Sequence, residues 1–263
     1  MHGLVDIGVN LTASSFKKDI NDVIERAVQA GVAQQVVTGT SLEHSHHALE
    51  LVTKYPGVLS CTVGVHPHHA TECSDKILAE LEALAANAGV VAIGECGLDF
   101  NRNLSPPAVQ VHAFEAQLEL ASGLDMPVFL HQRDAHDDFM LILKRWRHRL
   151  PAAVTHCFTG DVVQLKDCLE LDLHIGVTGW ICDQRRGQAL QQSVSHIPAN
   201  RLMIETDAPY LLPRDLESSP KDRRNEPMYL PHICKAVAGY RGDEASAVAA
   251  STAATARAFF SIG

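Results

Sequence analysis

A glutamate, two histidines and an aspartate each follow a short apolar run: Glu95 after Val91-Ala92-Ile93-Gly94, His131 after Val128-Phe129-Leu130, His156 after Ala153-Val154-Thr155, and Asp207 after Leu202-Met203-Ile204 and the polar pair Glu205-Thr206. Two neutral imidazoles and a carboxylate form a common ligand set for a divalent ion, and an aspartate can add a harder oxygen or take a proton from water. Such an ion lowers the pKa of its water to about 7 in favourable cases, which gives a nucleophile at neutral pH. A lone histidine at a strand end is more often a hydrogen-bonded rim residue than a ligand, so the set gains its weight jointly. Glu95 adds a reason of its own, because burying a carboxylate without a cationic partner is costly. His66 and His68, in Val65-His66-Pro67-His68, fit a substrate contact or a turn fixed by Pro67 equally well. Asp99, in Gly97-Leu98-Asp99-Phe100, fits a loop-holding acceptor as well as a catalytic group.

These residues meet only if the elements carrying them converge. Eight short apolar runs are read at residues 4–9, 35–39, 58–65, 90–95, 127–131, 152–156, 173–177 and 201–206. Between them lie stretches with helical periodicity at 19–30, 43–54, 75–87, 108–122, 137–149, 162–171 and 186–194, with a final pair ending near Phe260. Gly31, Gly57, Gly89 and Gly123 mark helix ends, and Ser74 and Asp161 suit N-caps. Strand–helix alternation predicts parallel βαβ units. Eight such units predict an α/β fold of the (β/α)8 TIM-barrel type, where the C-terminal strand ends share one rim. An open doubly wound sheet is the rival, but neither GxGxxG nor GxxxxGK[ST] follows the first run.

The totals agree. A chain of 263 residues fits one barrel domain, expected to span 1–263. The seven cysteines form no CxxC pair, which predicts reduced thiols in a cytoplasmic protein. No apolar run reaches the length of a membrane span, and the start of the chain does not read as a secretory signal. Cys96 and Cys157 directly follow Glu95 and His156, so strand alternation should turn both thiols away from the site. The net charge of −9 argues against broad binding to a phosphate backbone. Against that, eight of the 22 Lys and Arg fall in expected rim loops: Arg102, Arg133, Arg185, Arg186, Arg214, Lys221, Arg223 and Arg224. A basic mouth on an acidic body would steer a polyanion to one face. The compact polar stretch Arg224-Asn225-Glu226 suits a substrate contact.

Seven segments in order carry a resemblance: Asp6-Ile7-Gly8-Val9-Asn10-Leu11, Gly64-Val65-His66-Pro67-His68, Gly94-Glu95-Cys96-Gly97-Leu98-Asp99-Phe100, His131-Gln132-Arg133-Asp134-Ala135, His156-Cys157-Phe158-Thr159-Gly160, Glu205-Thr206-Asp207-Ala208-Pro209-Tyr210 and Arg224-Asn225-Glu226-Pro227. Together they resemble the TatD family of metal-dependent deoxyribonucleases, from residue 1 to about 260. The resemblance implies a TIM barrel and Mg2+-dependent DNA cleavage, with Mn2+ or Zn2+ as alternative ions. It also implies 3′→5′ exonuclease action on single-stranded DNA, with RNA as a further substrate, in DNA repair or nucleic-acid turnover. By motif, Glu95, His131, His156 and Asp207 would be the metal residues, with Glu95 and Asp207 catalytic. His66, His68, Arg133, Arg224, Asn225 and Glu226 would bind substrate. One departure stands out. Most of the family carries an HxH pair where this chain has Gly8 and Asn10, so a second ion should bind loosely or arrive with the substrate phosphate.

Two other classes compete. A small-molecule ester or amide hydrolase would use the same barrel and ligands, although the arginine-rich loops lean against it. A non-catalytic nucleic-acid-binding barrel would bind DNA without turnover. The expected partners are single-stranded DNA and RNA and no membrane, with the chain acting as a monomer.

Overall fold

The computed structural model describes residues 3–263. Eight strands alternate with helices: β1 (Leu4–Val9), α1 (Ile20–Gln29), β2 (Val32–Val37), α2 (Leu42–Lys54), β3 (Leu59–Val63), α3 (Asp75–Ala85), β4 (Val90–Asp99), α4 (Pro107–Leu124), β5 (Val128–Arg133), α5 (His136–Trp146), β6 (Ala153–Thr155), α6 (Val162–Glu170), β7 (His174–Val177), α7 (Gln188–Ser193), β8 (Leu202–Ile204), then α8 (Leu230–Arg241) and α9 (Ala245–Phe260). The strands form one sheet in sequential order from β1 to β8, and the recorded ladders are parallel. That order and alternation are those of the (β/α)8 barrel read from the sequence.

The described residues divide into two compact units, one of residues 3–37, 157–166 and 175–263, the other of residues 38–156 and 167–174. In the first, β7 and β8 pair in parallel, as do β1 and β2. The end of β1 also bonds the segment after β8, through Asp207 N–H to Gly8 O at 2.9 Å and Asn10 N–H to Ala208 O at 2.8 Å. In the second, β3 to β6 pair in succession. Its outer layer is anchored by Phe114 of α4 stacked on Phe139 of α5, with ring centroids 5.6 Å apart. Strands buried on both faces read as continuous apolar runs rather than alternating ones. This is why β1 and β4 are buried along their whole lengths.

The boundaries correct several expectations. The second strand starts earlier than expected, at Val32, because the polar pair Gln34-Gln35 hides its first half; Gln35 is in fact fully buried. The fourth continues past Glu95 to Asp99, whereas the sixth stops at Thr155, before His156. Gly123 is not a helix end. α4 runs on to Leu124 and turns at Asp125 (φ 52°), one of the few residue types that tolerate the left-handed region. Ser74 and Asp161 do cap helices, accepting N–H bonds from Ile77 and from Val163 and Gln164.

Candidate active site

Glu95 owes its aim to a bulge. Ile93 faces Val128 while Cys96 faces Leu130, so β4 spends one more residue than β5 over this stretch. A bulge of this kind re-aims a side chain. The flanking glycines permit it. Gly94 (φ 142°) and Gly97 (φ 145°) lie where L residues are strained, and a Cβ on either would collide with the carbonyl oxygen of Phe129 or His131. The Glu95 N–H is tied to Gly39 O at 2.7 Å.

Three imidazoles converge on one oxygen of this carboxylate. Glu95 Oε1 lies 2.8 Å from His131 Nδ1, 2.8 Å from His156 Nε2 and 3.2 Å from His66 Nε2. Glu95 and His156 are each 5% exposed, so the group sits out of bulk water. Burial alone would raise the Glu95 carboxyl, but His156, His66 and His131 outweigh it and hold it well below the ordinary carboxylate range. Burial likewise lowers His131, yet the carboxylates of Asp99 and Glu95 prevail and raise it. For His66 burial wins over Glu95, bringing it down to about 4.

His66 is therefore neutral at pH 7, and its tautomer follows from its bonds. Nδ1 accepts the His68 N–H at 3.1 Å, so the ring proton is on Nε2 and points at Glu95. His66 is thus a hydrogen-bond donor to this site. His131 differs: its Nδ1 faces Glu95, while Nε2 is shielded from solvent without a hydrogen-bond partner, 3.7 Å from Asp99 Oδ2. The ligand atoms of His66, Glu95 and His131 lie within 4.8 Å of one another. A buried carboxylate ringed by imidazole nitrogens, one of them orphaned, fits a divalent cation in place of the shared protons. The donor set of one carboxylate with imidazoles suits such an ion.

Asp99 is the second carboxylate of the group. Its Oδ2 lies 2.6 Å from His68 Nε2, and its Oδ1 accepts the N–H groups of Asn101 and Arg102 at 3.0 and 2.9 Å. Burial would raise it, but His131, His68 and the Arg102 N–H prevail and hold it far below the ordinary range. Of the two roles left open by the sequence, the loop-holding one is seen at Oδ1, while Oδ2 faces the imidazoles of His68 and His131.

Two residues missed in the sequence hold this group from behind. Gln110 and Gln117, both fully buried on α4, spend their amides on strand ends. Gln110 Oε1 accepts Asp99 N–H at 2.8 Å, and its Nε2 donates to Asp99 O and Ser105 O at 3.1 and 2.8 Å. Gln117 bonds Val65 N–H at 2.7 Å and Val65 O at 3.0 Å, beside His66. The available signal was two glutamines two turns apart on an otherwise apolar helix face.

The remaining expected residues are placed as follows. Asp207 (φ 53°), in the other unit, receives Asn10 Nδ2 at 2.9 Å. Arg133 ends β5 and is exposed. Arg224 is held by Asp19 at 2.7 Å and Glu226 at 2.7 Å. Glu226 also takes Arg26 at 2.8 Å, and buried Asn225 donates to Thr206 O and Tyr210 O. Among the expected rim cations, Arg186 and Arg214 bond Asp183 at 2.8 and 3.1 Å. Cys96 is fully buried on β4, but Cys157 lies beyond the end of β6 at φ 47°, so alternation does not govern its direction. No disulfide joins any of the seven cysteines.

The profile described as TatD related DNase matches residues 5–261. The chain belongs to this family. It is 54% identical to the 3′-5′ ssDNA/RNA exonuclease TatD of Erwinia billingiae, over 98% of this chain and 98% of that one. Among solved structures, a hydrolase TatD family protein from Entamoeba histolytica superposes with a TM-score of 0.90 at 26% identity, covering 98% of each chain. A TatD homolog from Escherichia coli k12 gives 0.89 at 28%, covering 99% of this chain and 98% of the other. The (β/α)8 fold is thus shared by the family's solved members. Among the described residues, no helix is long and apolar enough to cross a membrane.

Proposed function

We propose that the chain is a metal-dependent 3′→5′ exonuclease of single-stranded DNA, with RNA as a second substrate, serving repair or turnover of nucleic acids. The observation that carries this is the convergence of His66, His131 and His156 on Glu95 Oε1 in a family of DNases. Glu95, His131 and His156 would hold the ion, and Asp207 enters on its sequence motif alone. We take Mg2+ as the working ion; when bound it supplies Lewis-acid stabilisation of charge on the transferring phosphoryl group and acidifies water.

The protein's own groups do the rest. The Nε2–H of neutral His66 is a donor that can turn from Glu95 to a phosphate oxygen. His68 and exposed Arg133 offer further donors, and a guanidinium fork suits phosphate geometry. Asp99 keeps His68 and His131 oriented. Arg224, Asn225 and Glu226 contribute as a fixed loop, since the Arg224 charge is already matched by Asp19 and Glu226.

The test uses 5′-labelled single-stranded DNA with Mg2+ and then with EDTA. A ladder that shortens stepwise and is abolished by EDTA supports the reading. An intact band with both Mg2+ and Mn2+, alongside turnover of simple esters, would replace it with the small-molecule hydrolase.

A further inference from the structure

A second group of metal-type side chains, none of them shared with the Glu95 group, lies wholly within the unit that contains β7, β8 and α8. Cys182 ends a short helical turn, Gly179–Cys182, that follows β7. Asp215 lies in the long segment between β8 and α8, and His232 in the first turn of α8. One ligand atom from each lies within 4.8 Å of the others, and His232 Nε2 is 2.7 Å from Asp215 Oδ1. We propose that Cys182, Asp215 and His232 form a binding site for a zinc-like divalent cation.

The donor chemistry selects the class of ion. One thiolate, one imidazole and one carboxylate are a borderline-soft set, as zinc takes, and differ from the thiolate-free group around Glu95. Bonds of about 2.0–2.3 Å in a tetrahedron place donor atoms roughly 3.3–3.5 Å apart. The three atoms here lie within 4.8 Å of one another, and Asp215 and His232, now 2.7 Å apart, would move slightly apart around an ion. Three protein ligands leave the fourth position to water.

The backbone around the site is already fixed, so little ordering is required on binding. Asp183, next to Cys182, accepts the N–H groups of Arg185 and Arg186 and the Nε–H groups of Arg186 and Arg214. One buried carboxylate therefore ties the Cys182 turn to the residue preceding Asp215. Gln191 Nε2 donates to Ile181 O at 2.8 Å, and Gln184 Nε2 to Tyr240 OH on α8 at 3.0 Å. Gly179 approaches Leu211 so closely that a Cβ there would strike its carbonyl oxygen.

A cysteine–histidine–aspartate group could also suggest a nucleophilic thiol, but the arrangement disfavours it. Cys182 is 1% exposed. Its thiol bonds to Asp215, and burial together with that carboxylate pushes the thiol up, away from the thiolate. His232 meets the aspartate instead of the sulfur. A cation reverses this by exchanging the thiol proton for a metal bond, the proton leaving to solvent. The bound ion would staple the middle of the 205–229 segment to the Cys182 turn and to α8.

Cobalt(II) is the probe, because thiolate ligation gives it a charge-transfer absorption that oxygen and nitrogen ligands alone do not. The full chain, stripped with EDTA, is titrated with Co2+. The expected result is a thiolate band that saturates at one equivalent in Glu95→Gln and within two in the wild type, is reversed by Zn2+, and is lost in Cys182→Ser and His232→Ala. His232 is on the helix surface, so its variant tests the site even if Cys182→Ser folds poorly. Absence of the band from the wild type, or its survival in His232→Ala, overturns the site. Zn2+ should also raise the melting temperature of Glu95→Gln but not that of Glu95→Gln/His232→Ala; equal shifts in both would count against it.

Discussion

Gln110 satisfies both backbone groups of Asp99, accepting its N–H at 2.8 Å and donating to its carbonyl at 3.1 Å. The carboxylate that faces His68 and His131 is thereby held from α4, outside the site. Gln110→Leu removes the bonds to Asp99 and to Ser105 O while nearly preserving volume. Each buried group left unpaired costs about 1–3 kcal/mol. Loss of outer support of this kind lowers metal affinity or activity by roughly 10–100-fold. Melting temperature and Mg2+-dependent exonuclease rate should both fall. A variant that melts early but retains full activity would show that Asp99 is positioned without α4.

Protons and the cation compete for the same nitrogens. His131 is raised above the ordinary imidazole value of 6.5 by Asp99 and Glu95. Its proton must leave before an ion can bind, so metal-dependent activity should decline as pH falls through that raised value. Asp99→Asn removes one of the two charges that raise it, so the acidic limb should move to lower pH, with a lower plateau from the loss of His68 orientation. A pH–rate profile at saturating Mg2+ checks both. An unmoved limb would mean that His131 is not the competing group.

The sequence shows the barrel because its signals are local: apolar runs for strands, helical periodicity between them, and Ser74 and Asp161 as caps. The set Glu95, His131 and His156 is legible for the same reason, each residue closing an apolar run. Other features depend on tertiary geometry. The bulge at Gly94-Glu95 follows from β4–β5 register. The spacing of Gln110 and Gln117 marks them as facing inward with the apolar side of α4, but which groups they bond depends on where α4 lies against strand ends. Arg224 reads as a free cation until Asp19 and Glu226 are seen beside it.

Asp6 is fully buried, and burial is the main force pushing its carboxyl up to about 8, with the nearby Glu205 adding to it against the bonds from Thr206. The unfolded chain releases this proton near the ordinary value of 3.8, whereas the folded chain keeps it to about pH 8. Between those limits the native state binds more protons, so stability falls with rising pH at up to about 1.4 kcal/mol per unit. Asn in place of Asp6 can still accept the N–H groups of Thr206 and Gly8 and donate to Thr206 Oγ1. Asp6→Asn should flatten the loss from pH 4 to 8 and be the more stable protein at pH 8. Urea unfolding at pH 5 and pH 8 decides this, and parallel slopes for parent and variant would refute it.

Glu226 joins two guanidinium groups, Arg26 at 2.8 Å and Arg224 at 2.7 Å, while Asp19 takes both from the other side. Glu226→Ala leaves two cations sharing one carboxylate. The network is only partly buried, so the loss should be about 1–2 kcal/mol and should shrink in high salt, where the cations are screened from each other. Thermal melts at low and high ionic strength measure it. A salt-independent loss would indicate side-chain packing in place of charge.

Gly97 and Gly123 provide opposite tests of one substitution. Gly97 sits at φ 145°, and a Cβ there would meet the carbonyl oxygen of His131, on the strand that supplies a candidate ligand. Gly97→Ala must strain β4 or push it from β5, moving Glu95 away from His131. Gly123 lies inside α4 with nothing within 4 Å of an added Cβ. There, alanine removes backbone freedom from the unfolded chain and should add about 0.5–1 kcal/mol, a rise in melting temperature of about 1–4 °C for a chain of this size. Calorimetry with Mg2+ should show Gly97→Ala failing to bind the ion or to fold, and Gly123→Ala binding it normally. Normal ion binding by Gly97→Ala would mean that the close β4–β5 approach is not what sets the Glu95–His131 geometry.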